Sequence, residues 1–237
     1  MPPSRNSNRD NARRPYNQQD GKSSDTMAAV AAIGVIAFLV LGGFYWFSHR
    51  SSGPKLTLLV GADVTGSMGK AGRQQYFGIL DETVNGVLPK GTPVKLWSFD
   101  VNAHKVADIT PRKAEDLWSD EDNIIKLHTN TPGTLPAVVL LDMMSSIEDA
   151  HSKNEGVALM LLTDGEDQDP KQTEKVCKQL AGMSNLKALW VTGASTENGF
   201  RSSLERRLTP ILGDRLVVSS GSDARDALNR FRGLIEK

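Results

Sequence analysis

The sequence lacks the cysteines, the excess of one charge and the histidine spacing on which several classes of protein depend. Its 237 residues include one cysteine, Cys177, so an intramolecular disulfide is excluded and a small buried side chain in a helix is expected. Basic and acidic side chains number 28 each, which gives no electrostatic reason to expect nucleic acid as a partner. The four histidines lie in separate segments without ligand spacing, which argues against zinc or histidine catalysis.

One uncharged apolar stretch, residues 27–47 (MAAVAAIGVIAFLVLGGFYWF), is long enough to cross a bilayer, which takes about 20 residues as a helix. A cleaved signal peptide is one alternative, but its apolar core is usually only about 7–15 residues long. No small-residue cleavage site follows the closing aromatic residues, which resemble an interfacial belt. A buried soluble helix is the other alternative, and the all-round apolarity argues against it. We predict a retained transmembrane helix.

The flanking segments complete the predicted domain organisation. Residues 1–26 are polar, without apolar periodicity, and are predicted to be a disordered basic tail. Residues 48–54 are predicted to be a linker, and residues 55–237 one domain. Five lysines and arginines precede the apolar stretch and two follow it closely. Because positive charge tends to stay in the cytoplasm, we expect a cytoplasmic N-terminus and an extracytoplasmic domain.

Strands and helices alternate through the predicted domain. Residues 56–61 (LTLLVG) and 157–163 (VALMLLT) are continuous apolar runs, typical of strands covered on both faces. The other strands are predicted at 94–99, 103–109 (an edge strand), 187–192 and 215–219, and the helices at 74–88, 112–126, the region up to 147, 170–182, 201–211 and from 223 onward. This order predicts an α/β fold with a doubly wound, mostly parallel sheet and helices on both faces.

Two acidic loops begin where buried strands are predicted to end, and ligands of such sheets bind at that edge. The first loop contains Asp63, Thr65 and Ser67. Residues at this spacing in an extended segment point the same way, so their oxygens could converge on one point. Small hard cations such as Mg²⁺ prefer oxygen ligands. Hydroxyls would bind the cation directly, and carboxylates would hold its waters. The second loop contains Asp164.

The Asp-x-Thr-x-Ser pattern resembles the metal ion-dependent adhesion site, or MIDAS, of von Willebrand factor A domains, whose usual pattern is Asp-x-Ser-x-Ser. That family adds a threonine from a Gly-Thr loop, which Gly133–Thr134 matches, and an aspartate from Thr-Asp-Gly, which residues 163–165 match. The resemblance implies a divalent cation, Mg²⁺ or else Mn²⁺ or Ca²⁺, held by Asp63, Thr65, Ser67, Thr134 and Asp164. Thr65 departs from the usual serine, and Thr131 is a rival for the role of Thr134.

The resemblance also implies a function. A cation bound mainly by neutral hydroxyls keeps much of its charge, so an acidic side chain of a protein partner could complete its coordination. We therefore expect a membrane-anchored adhesion, assembly or scaffolding module and no enzymatic activity. Two alternatives remain: a phosphoryl-transfer or other hydrolytic enzyme using Asp63, and a domain whose metal is purely structural. Phosphoryl transfer of the haloacid dehalogenase type would need an aspartate at Thr65, and no Walker loop or Gly-x-Ser-x-Gly elbow is present.

Simpler roles are open to several of these residues. Asp63 could cap the turn after its strand, and Thr134 could cap a helix. The other acidic residues of the second loop, Glu166, Asp167 and Asp169, are predicted to be solvated rather than ligands.

Overall fold

The computed structural model describes residues 55–127 and 133–237, which form a six-stranded sheet with helices packed on it. The strands are β1 (Leu56–Asp63), β2 (Val94–Phe99), β3 (Ala103–Ile109), β4 (Gly156–Leu162), β5 (Leu186–Thr192) and β6 (Leu216–Ser219). The α-helices are α1 (Gly69–Gly86), α2 (Trp118–Lys126), α3 (Pro136–Ser152), α4 (Pro170–Ala181), α5 (Phe200–Leu212) and α6 (Ala224–Ile235). Within residues 55–127 and 133–237, no helix is long and apolar enough to cross a membrane. The predicted tail (1–26), transmembrane helix (27–47) and linker (48–54) lie outside the described residues.

The order of the strands confirms the predicted sheet. From edge to edge it is β3-β2-β1-β4-β5-β6, and every neighbouring strand pair is parallel except β2 with β3. The chain builds outward from β1 in one direction, then returns to place β4 on the other side of β1. The connections after β1 and β4 therefore diverge, and they leave a crevice at the carboxyl ends of these two strands.

Both faces of the sheet are covered, which explains why the central strands are apolar at successive positions. Leu58 and Val60 of β1 lie in one core with α1, α2 and α6, whereas Leu59 lies in a second core with α3, α4 and α5. All three side chains are fully buried. The lone cysteine, Cys177, is buried in the second core, as predicted. Strand residues that contact helices on both sides need no polar face, so alternation is absent.

Two helices differ from their predicted limits. The helix predicted at 74–88 is α1, which begins earlier, at Gly69. The sequence does not indicate this first turn, because it is mostly exposed and shows no apolar periodicity. The single helix predicted at 112–126 is a 3₁₀ turn (Ala114–Asp116) followed by α2. The side chain of Asp116 accepts hydrogen bonds from the backbone N of Arg112 and of Lys113, so it caps the start of the 3₁₀ turn.

Gly193 lies where the chain leaves β5, and the ring of Tyr76 from α1 packs directly on it. Its φ is +95°, and a Cβ there would lie 2.3 Å from Cζ of Tyr76. The tyrosine hydroxyl also donates a hydrogen bond to the Gly193 carbonyl oxygen, 3.0 Å away. We expect Gly193→Ala to lower the free energy of unfolding by roughly 2–4 kcal/mol, measured by urea denaturation, because backbone strain and overpacking add.

The matched control is Gly78→Ala on the exposed side of α1. A Cβ at Gly78 meets nothing within 4 Å. This substitution should raise the free energy of unfolding by about 0.5–1 kcal/mol, because alanine is the better helix former. Equal effects of the two substitutions would contradict the close approach of Tyr76 to the backbone.

Candidate metal centre

The candidate centre lies at the carboxyl ends of β1 and β4, in the crevice where their connections diverge. Asp63 is the last residue of β1, and Thr163 and Asp164 directly follow β4. The two strands are parallel neighbours, with Ala62 in register with Leu162. Pairing of these strands therefore brings together the two acidic loops that the sequence places 100 residues apart.

Asp63 is fully buried, and hydroxyl groups surround its carboxylate. Oδ1 accepts hydrogen bonds from the backbone N of Thr65 at 2.9 Å and from its Oγ1 at 2.6 Å. Oδ2 accepts from Oγ1 of Thr163 at 2.7 Å and, more weakly, from Oγ1 of Thr134 at 3.4 Å. Asp63 thus caps the turn after its strand, as the simpler interpretation expects, and also gathers three hydroxyls.

The first loop brings its hydroxyls together by a turn, which corrects the extended geometry that we predicted from the spacing. Thr65 is extended, but Gly66–Met68 form a 3₁₀ turn. Oγ1 of Thr65 and Oγ of Ser67 nevertheless lie 3.1 Å apart. Thr65 is 2% exposed and Ser67 is exposed, so the cluster runs from the buried carboxylate to solvent.

Thr134 joins this cluster from the segment just before α3. It is fully buried, and its Oγ1 lies 3.3 Å from Oγ1 of Thr65. Gly133 has a φ of +103°, which favours glycine just before the threonine. The N-cap of α3 is Leu135, and no side chain caps that helix end, so Thr134 is not the N-cap. The rival residue, Thr131, lies outside the described residues.

Asp164 is half-buried and lies at the edge of the cluster. Its Oδ1 accepts a hydrogen bond from the backbone N of Glu166 at 3.0 Å, which orders the second loop. Its negative charge acts on Asp63, although the two carboxylates share no hydrogen bond. The structure therefore brings four of the five predicted residues into direct contact and places Asp164 beside them.

Electrostatics at the centre favour a cation. The pKa of Asp63 is raised to about 6, chiefly by burial and to a smaller extent by repulsion from Asp164, whereas the hydrogen bonds from Thr65 and Thr163 lower it by stabilising the carboxylate. Among the residues that the structure describes, there is no group of three or more histidine, cysteine, aspartate or glutamate side chains that could hold a metal ion. The donors are instead two carboxylates and neutral hydroxyls. This set of hard oxygens fits Mg²⁺, Mn²⁺ or Ca²⁺.

Sequence patterns did not reveal three residues that support the centre. The Thr-Asp-Gly match includes Thr163 without giving it a role, yet its hydroxyl donates a short hydrogen bond of 2.7 Å to Asp63. Arg73 is 4% exposed; its Nη1 donates to the carbonyl oxygen of Thr65 at 3.5 Å, and its Nη2 donates to the carbonyl oxygens of Ile125 and Leu127, each 3.1 Å away. Asp167 was predicted to be solvated, but its side chain is only 3% exposed and is ion-paired with an arginine. The sequence around Asp167 does not indicate that an arginine from a distant part of the chain pairs with it.

The fold of the described residues recurs in solved structures, whereas no family model and no curated protein matches the sequence. A von Willebrand factor type A structure from Catenulispora acidiphila has a TM-score of 0.53 and 15% identity, over 78% of this chain and 43% of that one. Proximal thread matrix protein 1 from the mussel byssus, with a zinc-occupied MIDAS motif, has a TM-score of 0.53 and 14% identity, over 76% and 48%. An aerotolerance-related membrane protein from Bacteroides fragilis has a TM-score of 0.54 and 13% identity, over 75% and 98%.

This chain spans less than half the length of the first two of these proteins, and identities at this level carry information about the fold alone. The described residues have the fold of von Willebrand factor A domains.

Proposed function

We propose that residues 55–237 bind a divalent cation, Mg²⁺ or else Mn²⁺ or Ca²⁺, through Asp63, Thr65, Ser67, Thr134 and Asp164. The observation that carries this proposal is the buried carboxylate of Asp63 with three threonine hydroxyls around it and the exposed hydroxyl of Ser67 at its outer end. A buried charge is costly unless it is compensated, and a cation at this edge supplies the compensation.

The residues of the cluster have different roles in this proposal. The hydroxyls of Thr65, Ser67 and Thr134 are the direct ligands, and Asp63 orients two of them through its hydrogen bonds. Asp164 adds negative charge from the second loop. A bound cation with mostly neutral ligands accepts an acidic side chain from a partner. Because Ser67 is exposed, that side chain can approach from solvent without rearrangement of the core.

We further propose that the function is capture of a protein partner in adhesion, assembly or scaffolding at a membrane, without catalysis. Residues 27–47 anchor the chain, with the N-terminus in the cytoplasm and the domain outside. A matrix protein with a metal-occupied motif and a membrane protein both share the fold, which supports this choice. Phosphoryl transfer on Asp63 is disfavoured, because the residue is fully buried and both of its oxygens accept hydrogen bonds.

Calorimetric titration of the purified chain with Mg²⁺ and Mn²⁺ tests the metal site. Wild type should bind one cation, and Ser67→Ala should weaken binding at least about tenfold, since even outer partners of metal ligands contribute that much. Ser145→Ala is the matched control, because Ser145 is an exposed serine on α3 whose Oγ donates to the carbonyl oxygen of Asp142. Absence of binding to wild type would contradict the proposal.

The same variant separates partner capture from a purely structural metal. Immobilised wild-type chain should retain a partner bearing acidic side chains in Mg²⁺ and release it in chelator, and Ser67→Ala should retain little in either condition. If the metal is structural, chelator lowers the melting temperature and capture continues through another surface. Capture that survives both chelator and the substitution rejects a metal-dependent mechanism.

A further inference from the structure

The connection between β4 and α4, residues 163–169, contacts both other parts of the candidate centre. The backbone N of Gln168 donates to the carbonyl oxygen of Thr134 at 3.0 Å. Oγ1 of Thr163 donates to Oδ2 of Asp63 at 2.7 Å. A shift of this connection would therefore move Thr134 and Asp164 together.

Asp167 fixes the middle of the connection. Its side chain is 3% exposed, and its Oδ2 accepts two hydrogen bonds from Nη1 and Nη2 of Arg207 on α5, each 3.1 Å long. Its Oδ1 accepts from Oγ1 of Thr173 at 3.1 Å and from the backbone N of Asp169 at 3.2 Å. Nη1 of Arg207 also reaches the carbonyl oxygen of Pro170 at 3.3 Å. The connection is thus held to two helices through one buried carboxylate.

We propose that Arg207 is a positioning residue for the metal centre, acting through Asp167 to hold Thr134 and Asp164 at the cluster. This inference rests on the proposed function, because it concerns the affinity of the same site. Without Arg207, Asp167 would be a buried carboxylate that has lost its cationic partner. Such a group moves toward water, and the connection moves with it.

The direction of the effect separates positioning from simple electrostatics. Removing a positive charge near a cation site strengthens cation binding if only the charge matters. Removing a group that holds two ligand-bearing segments weakens binding. Substitution of Arg207 therefore has opposite expected signs under the two mechanisms, and one affinity measurement distinguishes them.

Arg207→Met is the test, with Mg²⁺ and Mn²⁺ affinity measured calorimetrically on the full chain. We expect the dissociation constant to rise roughly 10- to 100-fold, as for other outer partners of metal ligands. Arg207→Lys should recover part of the affinity, because it keeps the charge and loses the two-pronged contact. Arg201→Met is the matched control on the same helix, since Arg201 contacts Glu205 and Asp223 instead, and it should leave the dissociation constant unchanged.

A double-variant cycle checks that Arg207 acts through Asp167. Asp167→Asn should weaken binding, and Arg207→Met combined with Asp167→Asn should be no weaker than the weaker single variant. A dissociation constant that is unchanged or lower in Arg207→Met, while wild type binds metal, overturns the positioning role and leaves the proposed function intact. If wild type binds no metal, the proposed function itself fails. A lower melting temperature in the metal-free state without an affinity change also overturns the inference, because it indicates a structural role only.

Discussion

Asp63→Asn is expected to abolish divalent-cation binding while leaving the metal-free protein at least as stable as wild type. Asparagine keeps the shape of the side chain and can accept the hydrogen bond from the backbone N of Thr65. Its amide can donate to the hydroxyl oxygens of Thr163 and Thr134, which rotate to suit. The substitution removes the buried charge that a cation compensates, so affinity is lost without loss of packing.

Two measurements on the same samples test this separation. Calorimetric titration with Mg²⁺ should show no saturable binding to Asp63→Asn at concentrations that saturate wild type. Urea denaturation in chelator should show a free energy of unfolding equal to or above that of wild type. Glu121→Gln, which also neutralises a buried acid but lies on α2 away from the cluster, should bind the cation as wild type does. Wild-type affinity in Asp63→Asn would remove Asp63 from the site.

Glu121→Gln is expected to stabilise the protein at alkaline pH and to flatten its pH dependence. Glu121 is 5% exposed and faces Asp81 of α1, which also accepts a hydrogen bond from Nε1 of Trp118 at 3.2 Å. The pKa of Glu121 is raised to about 8, first by burial and then by the negative charges of Asp81, Asp122 and Asp120. Burial raises the pKa of Asp81 as well. The two carboxyls therefore share a proton near neutral pH.

The sign of the pH dependence follows from this raised pKa. The ordinary pKa of the glutamate is 4.5, so between about pH 4.5 and 8 the folded state holds a proton that the unfolded state releases. Stability contributed by this proton is complete below the lower value and is lost as the pH rises toward 8. Above that value, the ionised pair costs the fold on the order of 2–4 kcal/mol, which glutamine would avoid. Glutamine can still donate a hydrogen bond to ionised Asp81.

Urea denaturation from pH 5 to 9 measures the difference between Glu121→Gln and wild type. We expect the two proteins to be similar at pH 5 and the variant to be more stable by about 2 kcal/mol or more at pH 9. Glu82→Gln, on the exposed side of α1, is the control and should follow wild type throughout. A constant difference at every pH would mean that Glu121 acts through packing and not through its proton.

Continuous apolar sequence predicted the central strands well, because strands covered on both faces leave no position for a polar side chain. The order of the site motifs also predicted which residues meet, since parallel strands place their carboxyl ends at one edge. The sequence could not predict the 3₁₀ turn at Gly66–Met68, because the same Asp-x-Thr-x-Ser spacing is compatible with an extended segment. Nor could it predict burial of Asp167, whose partner Arg207 lies 40 residues further along the chain. Metal binding and the membrane anchor remain predictions.

The parallel pairing of β1 with β4 also determines when the metal centre can exist. Asp63 and Thr163 are 100 residues apart, so their contact closes a long loop, and such contacts form slowly because the entropy of closure comes first. At translation rates of about 5–20 residues per second, β1 would leave the ribosome roughly 5–20 s before β4 follows it. Throughout that interval the Asp63 carboxylate lacks the hydrogen bond from Thr163. The binding edge is therefore completed only after most of the domain has been synthesised.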